Sequence, residues 1–156
     1  MSLPRLEVVR SPVVWAQAVA IRLAVFVDEQ AVPFDEELDR LDAAAYHLLA
    51  RLGDRPVGTG RLIVLGDAGI IGRMAVLRPA RGCGVGTALL RALIAEAQRR
   101  ALREVSLAAQ LHARAFYARE GFVPGGAHFL DGGIWHQRMW LPMASPARRS
   151  RAGSDR

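Results

Sequence analysis

Along this chain the apolar positions change period in a way that assigns most elements before any motif is read. Runs over about 6 to 10, 46 to 52, 56 to 65, 70 to 77, 104 to 110, 122 to 129 and 134 to 141 predict seven strands, since a strand turns successive side chains to opposite faces. Helical spacing predicts helices over about 13 to 27, 84 to 100 and 112 to 120. In the second of these, Val85, Leu89, Leu93 and Ala97 share one face while Arg91, Gln98 and Arg99 lie away from it. The stretch from 28 to 44 reads as an acidic loop or short helix. Hairpins early and a β-α-β unit late imply an α+β fold, a mixed, mostly antiparallel sheet flanked by helices.

The junction between the strand ending near Leu77 and the helix that follows carries the chemistry. It runs Arg81-Gly82-Cys83-Gly84-Val85-Gly86-Thr87. Glycines remove the side chains that would keep a ligand off the backbone, and a helix opens with unpaired N–H groups and a positive dipole end, so the turn predicts an anionic ligand. A P-loop needs Lys after its last Gly, and the chain contains no Lys. A dinucleotide fold needs G-x-G-x-x-G directly after the strand, but Thr87 takes the last Gly position. The acid expected at the end of the next strand is also missing, because Glu104 opens that strand and Gln110 closes it.

What remains, Arg81-x-x-Gly84-x-Gly86, resembles the pyrophosphate-binding motif of the GNAT superfamily of N-acetyltransferases. About 30 residues further on, Ala113-x-x-Phe116-Tyr117-x-x-x-Gly121-Phe122 is similar to the superfamily's A-x-x-F-Y-x-x-x-G-F helix. Arg22 to Gln30 and Phe129 to Met139 are similar to a small bacterial branch whose substrates are mostly unassigned. The resemblance covers roughly residues 5 to 142. It implies the GNAT-like acyltransferase fold and acetyl-CoA (coenzyme A) as cofactor. Arg81 and the backbone amides of Gly82, Cys83, Gly84, Val85, Gly86 and Thr87 would hold the pyrophosphate, and edge backbone groups of Met74, Ala75 and Val76 would meet the pantetheine amides. Gln110 stands where many relatives carry Asn. Tyr117 would protonate or hydrogen-bond the departing thiolate. The implied reaction is transfer of an acetyl group to a primary amine of a small molecule or peptide, by direct attack in a ternary complex. A non-catalytic acyl-CoA sensor is the alternative, and Tyr117 argues against it.

An amine nucleophile must lose a proton, so a base or a water chain is needed. Glu29, His47, Asp131 and His136 are the candidates, each with an ordinary structural explanation as well. Glu29 and His136 come first, because both lie in stretches similar to the branch pattern. Asp28 to Asp42 holds seven of the 15 acids against one Arg. This is either a negative rim that draws in a cationic amine or a solvated face.

Composition narrows the setting. A chain of 156 residues, 51% apolar, can bury one ordinary core, so residues 1 to 143 are expected to form a single domain. No apolar run reaches bilayer-spanning length and Met-Ser-Leu-Pro-Arg lacks a signal-peptide shape, so a cytoplasmic protein with no membrane partner is expected. Cys83 is the single cysteine and cannot form an internal disulfide. The formal charge is +6, and half of it comes from four Arg against one Asp between 148 and 156. The end from 144 to 156 therefore reads as a disordered, solvated Arg-rich tail. The charge and the Arg-rich tail are all that suggest a nucleic-acid-binding module, the less favoured alternative, since the ordered basic-aromatic surface motifs of such modules are missing. No His/Cys/Asp spacing suggests a metal, and a homodimer stays open.

Overall fold

The computed structural model describes residues 3–144, so the Arg-rich tail lies, from residue 145 on, outside the described residues. All seven predicted strands form: β1 (Arg5–Val8), β2 (Tyr46–Leu52), β3 (Arg55–Leu65), β4 (Ala68–Val76), β5 (Glu104–Gln110), β6 (Val123–Asp131) and β7 (Ile134–Pro142). They are hydrogen-bonded in the order β1-β2-β3-β4-β5-β7-β6. The pairs β1/β2, β2/β3, β5/β7 and β6/β7 are antiparallel, and β4/β5 is parallel over Ala68–Ile70 against Glu104–Ser106. With helices α1 (Pro12–Arg22), α2 (Phe34–Glu37), α3 (Val85–Arg99) and α4 (Arg114–Ala118), this is the mixed, mostly antiparallel α+β architecture expected.

The residues cluster into two units, the first holding 3–63 and 71–93 and the second Val64–Ile70 and 94–144. In the first unit, Ser11 is extended (φ −134°, ψ 156°) and its side chain accepts from Val14 N at 3.2 Å, while Pro12 opens α1 without wasting a donor. Ala18, Ile21, Val25, Leu49 and Ala75 form the core, with Trp15, Phe26 and Leu77 packed against it. Gly58 and Gly60 of β3 let α3 settle close. A Cβ at Gly58 would stand 2.8 Å from Val85 Cγ1, and one at Gly60 3.0 Å from Leu93 Cδ1.

The single helix expected over 13 to 27 is in fact two. After Arg22 the chain widens into a π-helical segment, Leu23–Glu29, closed by Gln30 N to Val25 O (3.0 Å) and Val32 N to Phe26 O (2.8 Å), with Ala31 at φ 58°. Leu23, Ala24, Val25, Phe26 and Val27 are consecutive apolar residues, and such a run fits either period.

The larger correction concerns the acidic stretch. Arg22 is 1% exposed, and its guanidinium donates Nε to Glu37 Oε1 (2.7 Å), Nη1 to Asp42 Oδ1 (2.7 Å) and Nη2 to the Glu37 carbonyl (2.9 Å). Arg61 donates Nη1 to Asp42 Oδ1 (2.7 Å) and to Asp39 Oδ1 (2.9 Å). Arg73, itself at φ 51°, donates Nε to the Glu37 carbonyl (3.0 Å) and Nη2 to Asp39 Oδ2 (3.3 Å). Three arginines and three carboxylates thus neutralise one another. Asp39 also caps the short 3₁₀ turn Arg40–Ala44 in a reciprocal box with Asp42. Glu37, Asp39 and Asp42 are therefore not a rim facing a ligand. They are the counter-charges that let Arg22 and Arg61 be buried.

In the second unit β5, β7 and β6 form an antiparallel ladder that sets Gln110 opposite His136 and Phe129 opposite His136. Leu102, Val105, Leu107, Ala109, Phe122 and Met139 are buried there.

Burial pushes the Asp42 carboxyl up, but hydrogen bonds from Arg22 and Arg61 overcome it and hold the group at about 2. A depressed carboxylate contributes stability that is present above its unfolded value of about 4 and lost as pH falls through its folded value. Urea titrations should therefore show the wild type losing about 2 kcal/mol between pH 4 and 2 on account of this group. Asp42→Asn at neutral pH should cost about 3 kcal/mol, because it removes the carboxylate that two buried cations share and leaves each with one acidic partner. A loss well under 1 kcal/mol would refute the pairing.

Candidate cofactor turn and catalytic residues

In the first unit the turn between β4 and α3 is a glycine turn that leads directly into a helix. Gly82 and Gly84 have φ 79° and 80°, a region that favours glycine, and a Cβ built on either meets no atom within 4 Å. The turn is thus an open backbone surface. The helical bonds of α3 begin with Ala88 N to Gly84 O (3.0 Å), so the amides of Val85, Gly86 and Thr87 have no intrahelical carbonyl to meet. Open space, left-handed glycines and a helix N-terminus fit a diphosphate.

Arg81 does not project freely into that space. Its Nε donates to the Val76 carbonyl (2.9 Å), and Nη1 and Nη2 donate to Glu29 Oε2 and Oε1, both at 2.8 Å. Of the backbone groups at Met74, Ala75 and Val76, the Val76 oxygen therefore already serves Arg81. Residues 71–76 of β4 are outside the three-residue parallel ladder with β5. The Cys83 Sγ lies 3.9 Å from the Arg81 carbonyl.

The candidate bases separate by environment. Glu29, at the end of the π-helical segment, spends both oxygens on Arg81, and those hydrogen bonds hold its carboxyl below the usual value. This makes it a weaker base. His47 is buried, its Nε2 donates to the Asp42 carbonyl at 2.8 Å, its ring meets Trp15 edge-on at 4.8 Å, and burial pushes its pKa down. It belongs to the packing around the ion network. Asp131 pairs with Ile134 at the exposed end of the β6/β7 hairpin.

His136, in the second unit, is 8% exposed, stacks on Phe129 (5.8 Å between centroids) and places Nδ1 2.7 Å from the Ile134 carbonyl. A carbonyl only accepts, so Nδ1 donates here, and it is Nε2 that holds the lone pair whenever the ring is neutral. Nε2 has no hydrogen-bond partner among the described residues. Gln110 stands directly across from it on β5. Tyr117, on α4, packs edge-on against Phe116 (5.0 Å) and Phe122 (6.1 Å). Its hydroxyl has no protein partner among the described residues, and desolvation pushes the phenol up to about 12.

Sequence reasoning did not find the clasp of Glu29 on Arg81 or the network of Arg22, Arg61 and Arg73. Their partners lie 52, 15, 22 and 34 residues apart. The unusual density of acids between 28 and 42, matched with so few local cations, was the one available signal.

Similarity to known proteins agrees with this architecture. A family model described as an Acetyltransferase (GNAT) domain matches residues 13–142. An uncharacterized N-acetyltransferase of Bacillus subtilis (strain 168), YjcF, is 38% identical over 120 residues, 76% of this chain and 86% of its own length. A crystal structure of an acyl-CoA N-acyltransferase from Pseudomonas aeruginosa superposes with TM-score 0.80 at 29% identity, over 88% of this chain and 99% of that one. A Bacillus subtilis acetyltransferase crystallised with CoA shares the fold, at TM-score 0.68 and 18% identity over 91% of this chain and 100% of that one. The chain belongs to the GNAT acetyltransferase family and is an acyltransferase enzyme. The family uses acetyl-CoA and acts on amine acceptors. Among the described residues no helix is long and apolar enough to cross a membrane.

The raised Tyr117 pKa can be read directly. The phenolate absorbance difference between wild type and Tyr117→Phe should titrate near 12, with folding followed in parallel by circular dichroism. A midpoint near the ordinary value of about 10 would show that the ring is not desolvated in solution.

Proposed function

We propose that this protein is an acetyl-CoA-dependent N-acetyltransferase that moves an acetyl group to a primary amine of a small molecule or peptide, by direct attack while both substrates are held together. The observation that carries the reading is the open turn of Gly82 and Gly84 at the start of α3 in a GNAT chain. Residues 1–143 would act as one cytoplasmic domain, a reading supported by the span of the family match over 13–142.

Acetyl-CoA, when bound, supplies an acetyl carbon activated as a thioester. Amides from 82 to 87 would hold its diphosphate, and the edge of β4 at 74–76 would meet its amide-bearing arm; Gln110 is a further candidate for that arm. His136 Nε2 is the base we favour: Nδ1 is committed to the Ile134 carbonyl, so in the neutral ring the Nε2 lone pair can take the proton that the amine sheds as its nitrogen bonds to the acetyl carbon. Tyr117 would face the sulfur as the carbon–sulfur bond breaks. With the phenol near 12 and a thiol near 8.5, full proton transfer is uphill by about 5 kcal/mol, so a hydrogen bond to the thiolate is its role.

Gly84→Glu should abolish CoA binding measured by calorimetry, because it sets a carboxylate where phosphate belongs. A correctly folded Gly84→Glu protein with wild-type affinity would sink the assignment. Tyr117→Phe should leave CoA affinity intact and lower kcat about 10- to 100-fold, the effect of losing one transition-state hydrogen bond. Thiol release from acetyl-CoA over a panel of polyamines, aminoglycosides, amino acids and peptides gives the activity for that test, and no release with any amine would favour the sensor reading.

A further inference from the structure

Three elements of the first unit meet at one guanidinium. Arg81 opens the cofactor turn, the Val76 carbonyl ends β4, and Glu29 ends the π-helical segment. The partners are held firmly. Val25 is buried in the core, Phe26 packs against it, and the Val32 N to Phe26 O bond closes the segment behind Glu29. The turn beyond Arg81 is the opposite: its two left-handed glycines have nothing within 4 Å of where a side chain would start. Arg81 therefore ties the start of the turn to the fold, as Val85, buried against β3, ties its end.

We infer that Glu29 is a positioning residue for the cofactor turn, holding Arg81 against β4 so that backbone amides, and not the Arg81 side chain, meet the diphosphate. Three of the guanidinium's five N–H groups are committed to Val76 and Glu29, and a carboxylate at 2.8 Å cancels its charge. A phosphate that drew Arg81 away would break two charge-assisted hydrogen bonds and leave Glu29 unpaired beside an anion. The more favourable arrangement keeps the clasp closed and uses it to pre-order the turn, so that binding does not have to supply that order. The remaining neighbour, Arg78, is 75% exposed and approaches Glu29 only to 3.6 Å.

The inference rests on CoA binding at this turn, and the test separates the two. Calorimetry with CoA would compare wild type, Glu29→Gln, Arg81→Gln and the double variant, each checked for folding by circular dichroism. Glu29→Gln and Arg81→Gln should each weaken CoA by about tenfold, and the double variant by no more than either, as members of one unit do. KM for acetyl-CoA should rise in the same proportion, while the pH midpoint of kcat stays in place. Glu29→Gln binding CoA as well as or better than wild type overturns the inference, as does a far larger loss in Arg81→Gln, which would mean that Arg81 touches phosphate. Loss of kcat in Glu29→Gln with CoA affinity kept also overturns it, by making Glu29 the base. Wild-type protein that binds no CoA overturns the proposed function and the inference together.

Discussion

The first unit depends on placing the guanidinium of Arg22 where water cannot reach it. Arg22 ends α1, and its Nε and Nη1 each stand 2.7 Å from a carboxylate oxygen, on Glu37 and Asp42. A charge withdrawn from water is costly unless its hydrogen bonds are replaced. That demand explains why the chain after α1 folds back as a short helix and a capped 3₁₀ turn with no long apolar face: its acids are needed around Arg22 and Arg61. One Glu37 oxygen and Arg61 Nε have no partner among the described atoms.

From that geometry the rest of the unit follows. Arg73 has a left-handed backbone in the middle of β4, and the carbonyls of Glu36 and Glu37 with the Asp39 carboxylate hold its side chain. The strand therefore turns irregular just before Met74, Ala75 and Val76. The acids between 28 and 42 thus shape the strand that leads to the glycine turn, and only Asp28, Asp35 and Glu36 are left without an arginine on the carboxylate among the ion pairs described.

How much of this was legible in the sequence depended on range. Strand and helix periods are local, so β1 to β7 and α3 were readable within a residue or two from apolar spacing. The glycine turn was readable because backbone freedom is written into residue type. Side-chain pairing across dozens of residues is not local. The destinations of Glu29, Glu37 and Asp42 are therefore hidden in the sequence, where a ligand-facing rim and a solvated face look the same. His136 and Tyr117 are found through motif resemblance, but the features that give them chemical meaning, an Nδ1 tied to the Ile134 carbonyl and a desolvated phenol, emerge only from packing.

The widened helix at 23–29 has a consequence for how this chain tolerates length change. A π-helical stretch holds more residues per turn than an α-helix, so it is a natural place for a one-residue deletion to be absorbed. Here absorption would not be silent. Each α-helical residue advances the side-chain direction by about 100°, so a chain one residue shorter would keep a continuous helix while swinging its final carboxylate off the face that meets Arg81. The irregularity works as a phase adjuster between α1, whose end is fixed by Arg22, and the turn, and its length is part of the register of the fold.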